Sequence, residues 1–301
     1  MPKLSVIICT YNREKYLYNC LKSIAENDFS PEHEIVLVNN NSTDNTENEC
    51  VRFQNDYPQV VFRYFLEKNQ GLSFARNRGI DEATGDVLVY VDDDAKVGDN
   101  YLKTIAGFLG ENPRAMAVGG AIFPVYETQE PNWMSHYTRI LITAYKNEGK
   151  KVIEFKRGKF PSGGNAAFRK EVFQQIGKFN TELGRIGNSL LSAEEKDVFD
   201  RMRQKKMPIF YLPQMVLYHI IPPSRLTKEY FYRLTSSIGK SERLRTLNIS
   251  KAKYAKRLLA ELVKWAATLA LCTGFLLKLQ PRKGWKLIQF RWFVTKGLVI
   301  N

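Results

Sequence analysis

The run Val87-Leu-Val-Tyr-Val91, closed at once by Asp92-Asp93-Asp94, constrains the fold of this chain more than any other stretch. Five consecutive apolar residues leave no polar face, so the strand they form has to be covered on both sides. Such strands belong to α/β sheets with helices packed on each face. Ligands of open α/β sheets bind beyond the carboxyl ends of the strands, which is where the three carboxylates stand. Three adjacent anions repel one another and need compensation. For hard oxygens the usual compensation is a hard divalent cation, Mg²⁺ or Mn²⁺. An acidic turn or a helix cap would use the same residues, so the rest of the chain has to decide.

The chain alternates around that strand. Residues 4–9 read as a strand, 16–27 as an amphipathic helix, 34–38 as a second strand, and 43–55 as a helix capped by Thr43 and Asp44. A third strand is expected at 60–65 and a helix at 73–83. This rhythm predicts a doubly wound, mostly parallel sheet flanked by helices. The polar clusters 10–13, 39–44 and 92–94 each follow a strand, so all three belong to one rim. Further on, a helix is expected at 101–109, a strand at 117–123, irregular chain at 124–162, and a small-residue loop at 161–169 running into a helix that ends near Gly177. A mobile loop at 178–193, a helix from 193, and short strands at 209–212 and 216–219 complete this domain, placed at residues 1–224. Pro222-Pro223 breaks the chain, and a helical appendage at residues 225–301 follows.

The net charge of +14 suggests nucleic acid until it is located. Residues 1–224 hold 28 basic and 28 acidic side chains, whereas residues 225–301 hold 17 and 3. The charge belongs to the appendage, so no nucleic-acid partner is expected. Within the appendage, residues 265–277 are apolar between Lys264 and Lys278, and Trp285-Lys-Leu-Ile-Gln-Phe-Arg-Trp-Phe-Val294 interleaves aromatics with cations. Thirteen apolar residues fall short of the ~20 of a spanning helix, and the second pattern is that of interfacial helices. The expectation is therefore peripheral or monotopic attachment to a membrane surface, at its cytoplasmic face. Cys9, Cys20, Cys50 and Cys272 lack CxxC spacing and read as reduced structural thiols. The apolar run at residues 4–9 is too short for a signal peptide. No glycine-rich phosphate loop follows the first strand. Gly239-Lys240-Ser241 lacks the earlier glycine of a P-loop, since Leu234 stands there. Gln289-Phe-Arg-Trp292 is one residue short of the processive-synthase motif.

Ser5-Val-Ile-Ile-Cys-Thr-Tyr-Asn-Arg13, Val38-Asn-Asn-Asn-Ser-Thr-Asp44, Gly71-Leu-Ser-Phe-Ala-Arg-Asn-Arg-Gly79, Asp92-Asp-Asp94, Gly163-Gly-Asn-Ala-Ala-Phe168 and Glu194-Glu195 form an ordered set. This set resembles glycosyltransferase family 2, the inverting nucleotide-sugar enzymes of GT-A fold. The resemblance implies transfer of a sugar from a nucleoside diphosphate donor, typically UDP-linked, to an acceptor hydroxyl. It implies donor contacts from Thr10, Tyr11, Asn12, Arg13, Asn39, Gly71, Arg76, Asp92 and Asp93. Asn39 stands where the family usually has Asp. The resemblance also implies a Mn²⁺ or Mg²⁺ ion held by Asp94, with Asp92 and His219 as further ligands. Gly163, Gly164 and Asn165 are implied as a loop beside the sugar and acceptor. Glu195 is the expected base, with Glu194 as the alternative, where relatives carry Glu-Asp. The acceptor is expected to be a glycan on a lipid carrier, as in cell-surface polysaccharide assembly. The competing expectation is a peripheral membrane-binding protein with a degenerate nucleotide site.

Overall fold

The chain runs through β1 (Leu4–Thr10), α1 (Glu14–Ala25), β2 (Glu34–Asn39), α2 (Thr46–Asp56), β3 (Phe62–Leu66), α3 (Leu72–Glu82), β4 (Val87–Val91), β5 (Ala95–Val97), α4 (Tyr101–Glu111) and β6 (Ala117–Tyr126). It continues as α5 (His136–Thr143), β7 (Ile153–Glu154), β8 (Asn165–Arg169), α6 (Glu171–Ile176), α7 (Glu194–Gln204), β9 (Ile209–Ile221), α8 (Lys228–Ile249), α9 (Lys251–Leu277) and α10 (Pro281–Val299). This computed structural model describes residues 1–301 apart from Asp28, Arg157, Asn188 and Asn301. Position 188 falls in the stretch expected to be a mobile loop and lies outside the described residues.

By contact the chain divides into two units, and neither is continuous. The first comprises Met1–Val125, Lys146–Thr181 and Glu194–Ile220, and the second comprises Tyr126–Tyr145, Glu182–Ala193 and Ile221–Asn301. A single cut after residue 224 therefore differs from the contacts made. The reason is a helix the sequence did not advertise. Ser135 and Thr138 form a capping box that starts α5. Met134 and Ile142 then join Phe231 and Leu234 of α8 in one apolar cluster.

In the first unit the sheet order is β3-β2-β1-β4-β8-β6-β9-β5, with β7 on β9. β1, β2, β3 and β4 pair in parallel, with Thr10 opposite Asn39 and Asn39 opposite Leu66. Parallel pairing stops at β4. β8 runs antiparallel to both β4 and β6 because it reaches the sheet by a long return instead of a helical crossover. Asn165 thus begins a strand, where a loop was expected, and pairs with Val91 at the carboxyl end of β4. The two short strands expected near 209–219 are one strand, β9, which crosses Pro213. The apolar residues of β4 are all buried, as their unbroken run required.

In the second unit α8, α9 and α10 are bounded by legible signals. The Ser250 hydroxyl accepts from the Lys253 amide to cap α9, and Pro281 opens α10. Glu261 of α9 is 3% exposed and accepts from Arg257 at 2.6 Å, Arg291 at 3.0 Å and the Thr295 hydroxyl at 3.0 Å. Glu242 accepts from Arg245 and Arg257. Past its lysine-rich first turns α9 exposes Leu259, Leu262, Val263, Leu269, Leu276 and Leu277, with Lys264 exposed among them. By length and composition α9 can cross a membrane. The apolar segment is thus longer in structure than the thirteen residues between Lys264 and Lys278.

Candidate active site

The loops after β1 and β2 brace each other. The Asn12 amide donates to the Ser42 hydroxyl at 3.0 Å, and the Asn12 side chain accepts from the Thr43 amide at 2.8 Å. Asp44 accepts from the amides of Glu14 and Thr46, tying the first turns of α1 and α2 together. Asn39 is buried, donates to the Tyr64 hydroxyl and accepts from the Ser42 amide, so its side chain shapes the loop. The amide of Gly71 is taken up by Asn40, which also donates to the carbonyls of Glu67 and Asn69. Asn40 is therefore the clamp of this rim, hidden in the sequence as the middle member of a triple Asn. Thr10 is buried, whereas Tyr11 is exposed and presents its ring at the rim.

Asp93 and Asp94 turn inward beside Arg13, which reaches Asp93 Oδ1 and Asp94 Oδ2 at 3.5 Å each. β5 and β9 pair with Ala95 opposite His219. That register places His219 Nε2 3.3 Å from Asp94 Oδ1. Burial pushes the Asp93 carboxyl up to about 7, against the pull of Arg13 and with the help of Asp94. Asp92 is raised as well, first by burial and then by Asp94. The cluster carries more negative charge than its cations balance. An oxygen and an imidazole nitrogen 3.3 Å apart fit neighbouring corners of an octahedral shell with bonds of about 2.1 Å. A mixed oxygen and imidazole set suits Mn²⁺ better than Mg²⁺. Among the described residues, no three or more His, Cys, Asp or Glu side chains converge to hold a metal by themselves. Asp92, expected as a further ligand, lies instead against Gly164.

Two glycines define the opposite wall. A Cβ on Gly163 would fall 2.1 Å from Glu195 Oε1, and one on Gly164 would fall 2.0 Å from Asp92 Oδ2. Only glycine lets this loop touch both carboxylates. The Gly163 amide donates to Glu195 Oε2 at 2.8 Å, while Arg76 Nη2 donates to Glu195 Oε1 at 3.0 Å. The Glu195 side chain remains 25% exposed. Arg76 Nη1 holds the buried Glu194 at 2.8 Å. Both glutamates open α7, where the helix dipole favours anions.

Most of the expected residues meet at this rim, but some in altered roles. Arg76, expected at the nucleotide, is 3% exposed and spends its guanidinium on Glu194 and Glu195. Asn165, expected to face the acceptor, is fully buried. Its amide donates to the carbonyls of Ala121 and Met215, and its oxygen accepts from the Tyr101 hydroxyl. It therefore ties β8 to its neighbours. Lys146 carries no sequence signal. Its ammonium donates to the Phe160 carbonyl at 2.6 Å. Burial lowers its pKa, against the attraction of Glu148 and Glu195.

A family model for Glycosyl transferase family 2 matches residues 5–177, more than half of the chain. The glucosyl-dolichyl phosphate glucuronosyltransferase of Haloferax volcanii is 28% identical over 207 residues, 67% of this chain and 64% of that one. The GalNAc(5)-diNAcBac-PP-undecaprenol beta-1,3-glucosyltransferase of Campylobacter jejuni is 37% identical over 107 residues, 35% of this chain and 34% of that one. The chain thus spans less than two thirds of the length of these curated relatives. Among solved structures, the mannosyltransferase PcManGT of Pyrobaculum calidifontis, in complex with GDP-Man and Mn²⁺, aligns with a TM-score of 0.64 at 20% identity, covering 99% of this chain and 87% of that one. S. aureus TarS 1–349 in complex with UDP-GlcNAc aligns with a TM-score of 0.52 at 20% identity, covering 98% and 91%. At such identities these structures bear on the fold alone.

Proposed function

Since the chain belongs to glycosyltransferase family 2 and has the GT-A fold, we propose that it transfers a sugar from a nucleoside diphosphate donor to an acceptor hydroxyl, with inversion. The carrying observation is the Gly163-Gly164 loop, which touches both Glu195 and Asp92. Glu195 is the base. Its carboxylate is oriented by Arg76 and the Gly163 amide yet keeps an exposed edge for an incoming hydroxyl. Asp92 and Asp93 serve the ribose and diphosphate part of the donor, and Tyr11, exposed at the rim, offers its ring to the nucleobase. A divalent cation at Asp94 and His219 would supply positive charge where the departing diphosphate gathers its negative charge. The mannosyltransferase that shares this fold was solved with GDP-Man and Mn²⁺, which supports a divalent cation as part of this reading.

The acceptor is a glycan on a lipid carrier, and the chain attaches to the cytoplasmic face of the membrane through its second unit. Support comes from the names of relatives that act on dolichyl and undecaprenol carriers, and from α9, which turns Glu261 inward onto Arg257 and Arg291 and exposes several leucines between exposed lysines. The reading is tested by incubating the purified chain with a panel of UDP- and GDP-sugars, with and without Mn²⁺. Mn²⁺-dependent release of nucleoside diphosphate is expected, and Asp94→Ala should abolish it while leaving the circular dichroism spectrum unchanged. Full turnover in Asp94→Ala would remove the metal assignment.

A further inference from the structure

Outside the carboxylate rim, the second unit holds a cavity of about 420 Å³ lined among others by Arg233, Lys240 and Lys296, the hydroxyl of Ser236, and the apolar Leu190 and Leu244. α8 and α10 meet here backbone to backbone. A Cβ on Gly297 would fall 2.1 Å from the Ser236 carbonyl and 3.2 Å from the Lys240 amide nitrogen. The crossing therefore brings the chain at Lys296 against the chain at Lys240. Neither lysine has an ion-pair partner among the described residues. The Ser236 hydroxyl is buried without a hydrogen-bond partner. Gathered like charges repel, and a buried hydroxyl without a partner is unfavourable. An anion with several acceptor oxygens relieves both at once. The cavity is larger than a phosphate ion needs and has apolar residues in its wall, which favours an amphiphile. The same unit exposes the apolar side of α9.

We propose that this cavity binds the phosphate group of a membrane lipid, with Lys240, Lys296 and Arg233 neutralising the charge and Ser236 donating a hydrogen bond. The inference rests on the membrane attachment argued above, and the experiment separates the two. Dihexanoyl phosphatidic acid, kept below its micelle concentration, is titrated calorimetrically into the full chain. Dihexanoyl phosphatidylcholine and inorganic phosphate are run in parallel. Phosphatidic acid should bind at least about tenfold more tightly than either. Ser236→Ala, which changes no charge, should weaken it by about fivefold. Lys240→Gln with Lys296→Gln should weaken it by more than about tenfold. Lys251→Gln with Lys253→Gln removes equal charge from α9, outside the cavity wall, and should leave binding within about twofold. Equal losses from the two lysine pairs, or an unchanged Ser236→Ala, would overturn the site in favour of diffuse attraction. Inorganic phosphate binding as tightly as the lipid would overturn the lipid assignment. Flotation of the unaltered chain with anionic vesicles reads attachment separately. Absent flotation alongside intact binding of phosphatidic acid would sink the attachment and leave the cavity standing.

Discussion

Two buried charge clusters are built from the same groups and differ in balance. At the rim of the first unit, Asp92, Asp93, Asp94, Glu194 and Glu195 share two guanidiniums, Arg13 and Arg76, and one imidazole. In the second unit, Glu242 and Glu261 are met by Arg245, Arg257 and Arg291. The protons record the difference. Burial raises Asp92 and Asp93. At Glu261 burial also pushes upward, but the hydrogen bonds from Arg257 and Arg291 outweigh it and the carboxyl ends below its ordinary value. In the second unit three guanidiniums face two carboxylates, so each carboxylate has its cation within the helices themselves. The rim sets five carboxylates against two guanidiniums and one imidazole, a shortage of positive charge that a bound cation, as proposed above, would relieve.

The comparison breaks first on activity. Glu195→Gln should lower kcat by about 10² to 10⁴-fold, with donor affinity and the thermal midpoint little changed. If Glu194→Gln is the inactive variant instead, the base is one residue earlier and the Arg76 pair at 2.8 Å is catalytic machinery. The mirror experiment is Glu261→Ala. It leaves Arg291 without its carboxylate and Arg257 with Glu242 alone, so unfolding free energy should drop by about 3 to 5 kcal/mol in chemical denaturation. Turnover per folded molecule should stay near normal, and selective loss of activity at unchanged stability would dissolve the contrast between the clusters. A smaller effect concerns the outer face of α9. Leu262→Glu with Leu269→Glu should cut partition onto anionic vesicles by about 10²-fold, while donor hydrolysis in solution persists. Vesicle binding that survives would place attachment elsewhere in the second unit.

The smallest effect is in pH, and it has opposite signs in the two clusters. Asp93 titrates near 7 when folded, above its ordinary 3.8, so the fold binds the extra proton. The associated stability is complete below about 3.8 and is lost as pH rises through 7. Glu261 is lowered, so its stability is present above its ordinary 4.5 and lost as pH falls through the folded value. Native-state hydrogen exchange should therefore show β4 opening more readily at pH 8 than at pH 5, with Mn²⁺ reversing the trend. α9 and α10 should be protected at both values and loosen only in stronger acid. A parallel response of the two regions to pH would mean that their charge balance is alike.

The sequence determined the elements whose signals are local. An unbroken apolar run made β4 a covered strand, and alternating strands and helices made β1 to β4 parallel. It also marked the polar clusters 10–13, 39–44 and 92–94, which each follow a strand and lie on one rim of the sheet. What each of those residues does was decided by pairing partners far away in the chain. Asn165 was marked as a ligand contact and became a tie within the sheet once β8 entered antiparallel. Arg76 was marked for the nucleotide and met two glutamates more than a hundred residues later. His219 gained its position beside Asp94 only from the register of β5 on β9. Lys146 had no local signal, and the α5 helix only the short Ser135–Thr138 capping box, so packing revealed both. The physical reason is range. Burial pattern, caps and turn residues act within a few positions and can be read along the chain. Charge balance, hydrogen-bond partners and the direction of a carboxylate depend on which distant segments the sheet brings together.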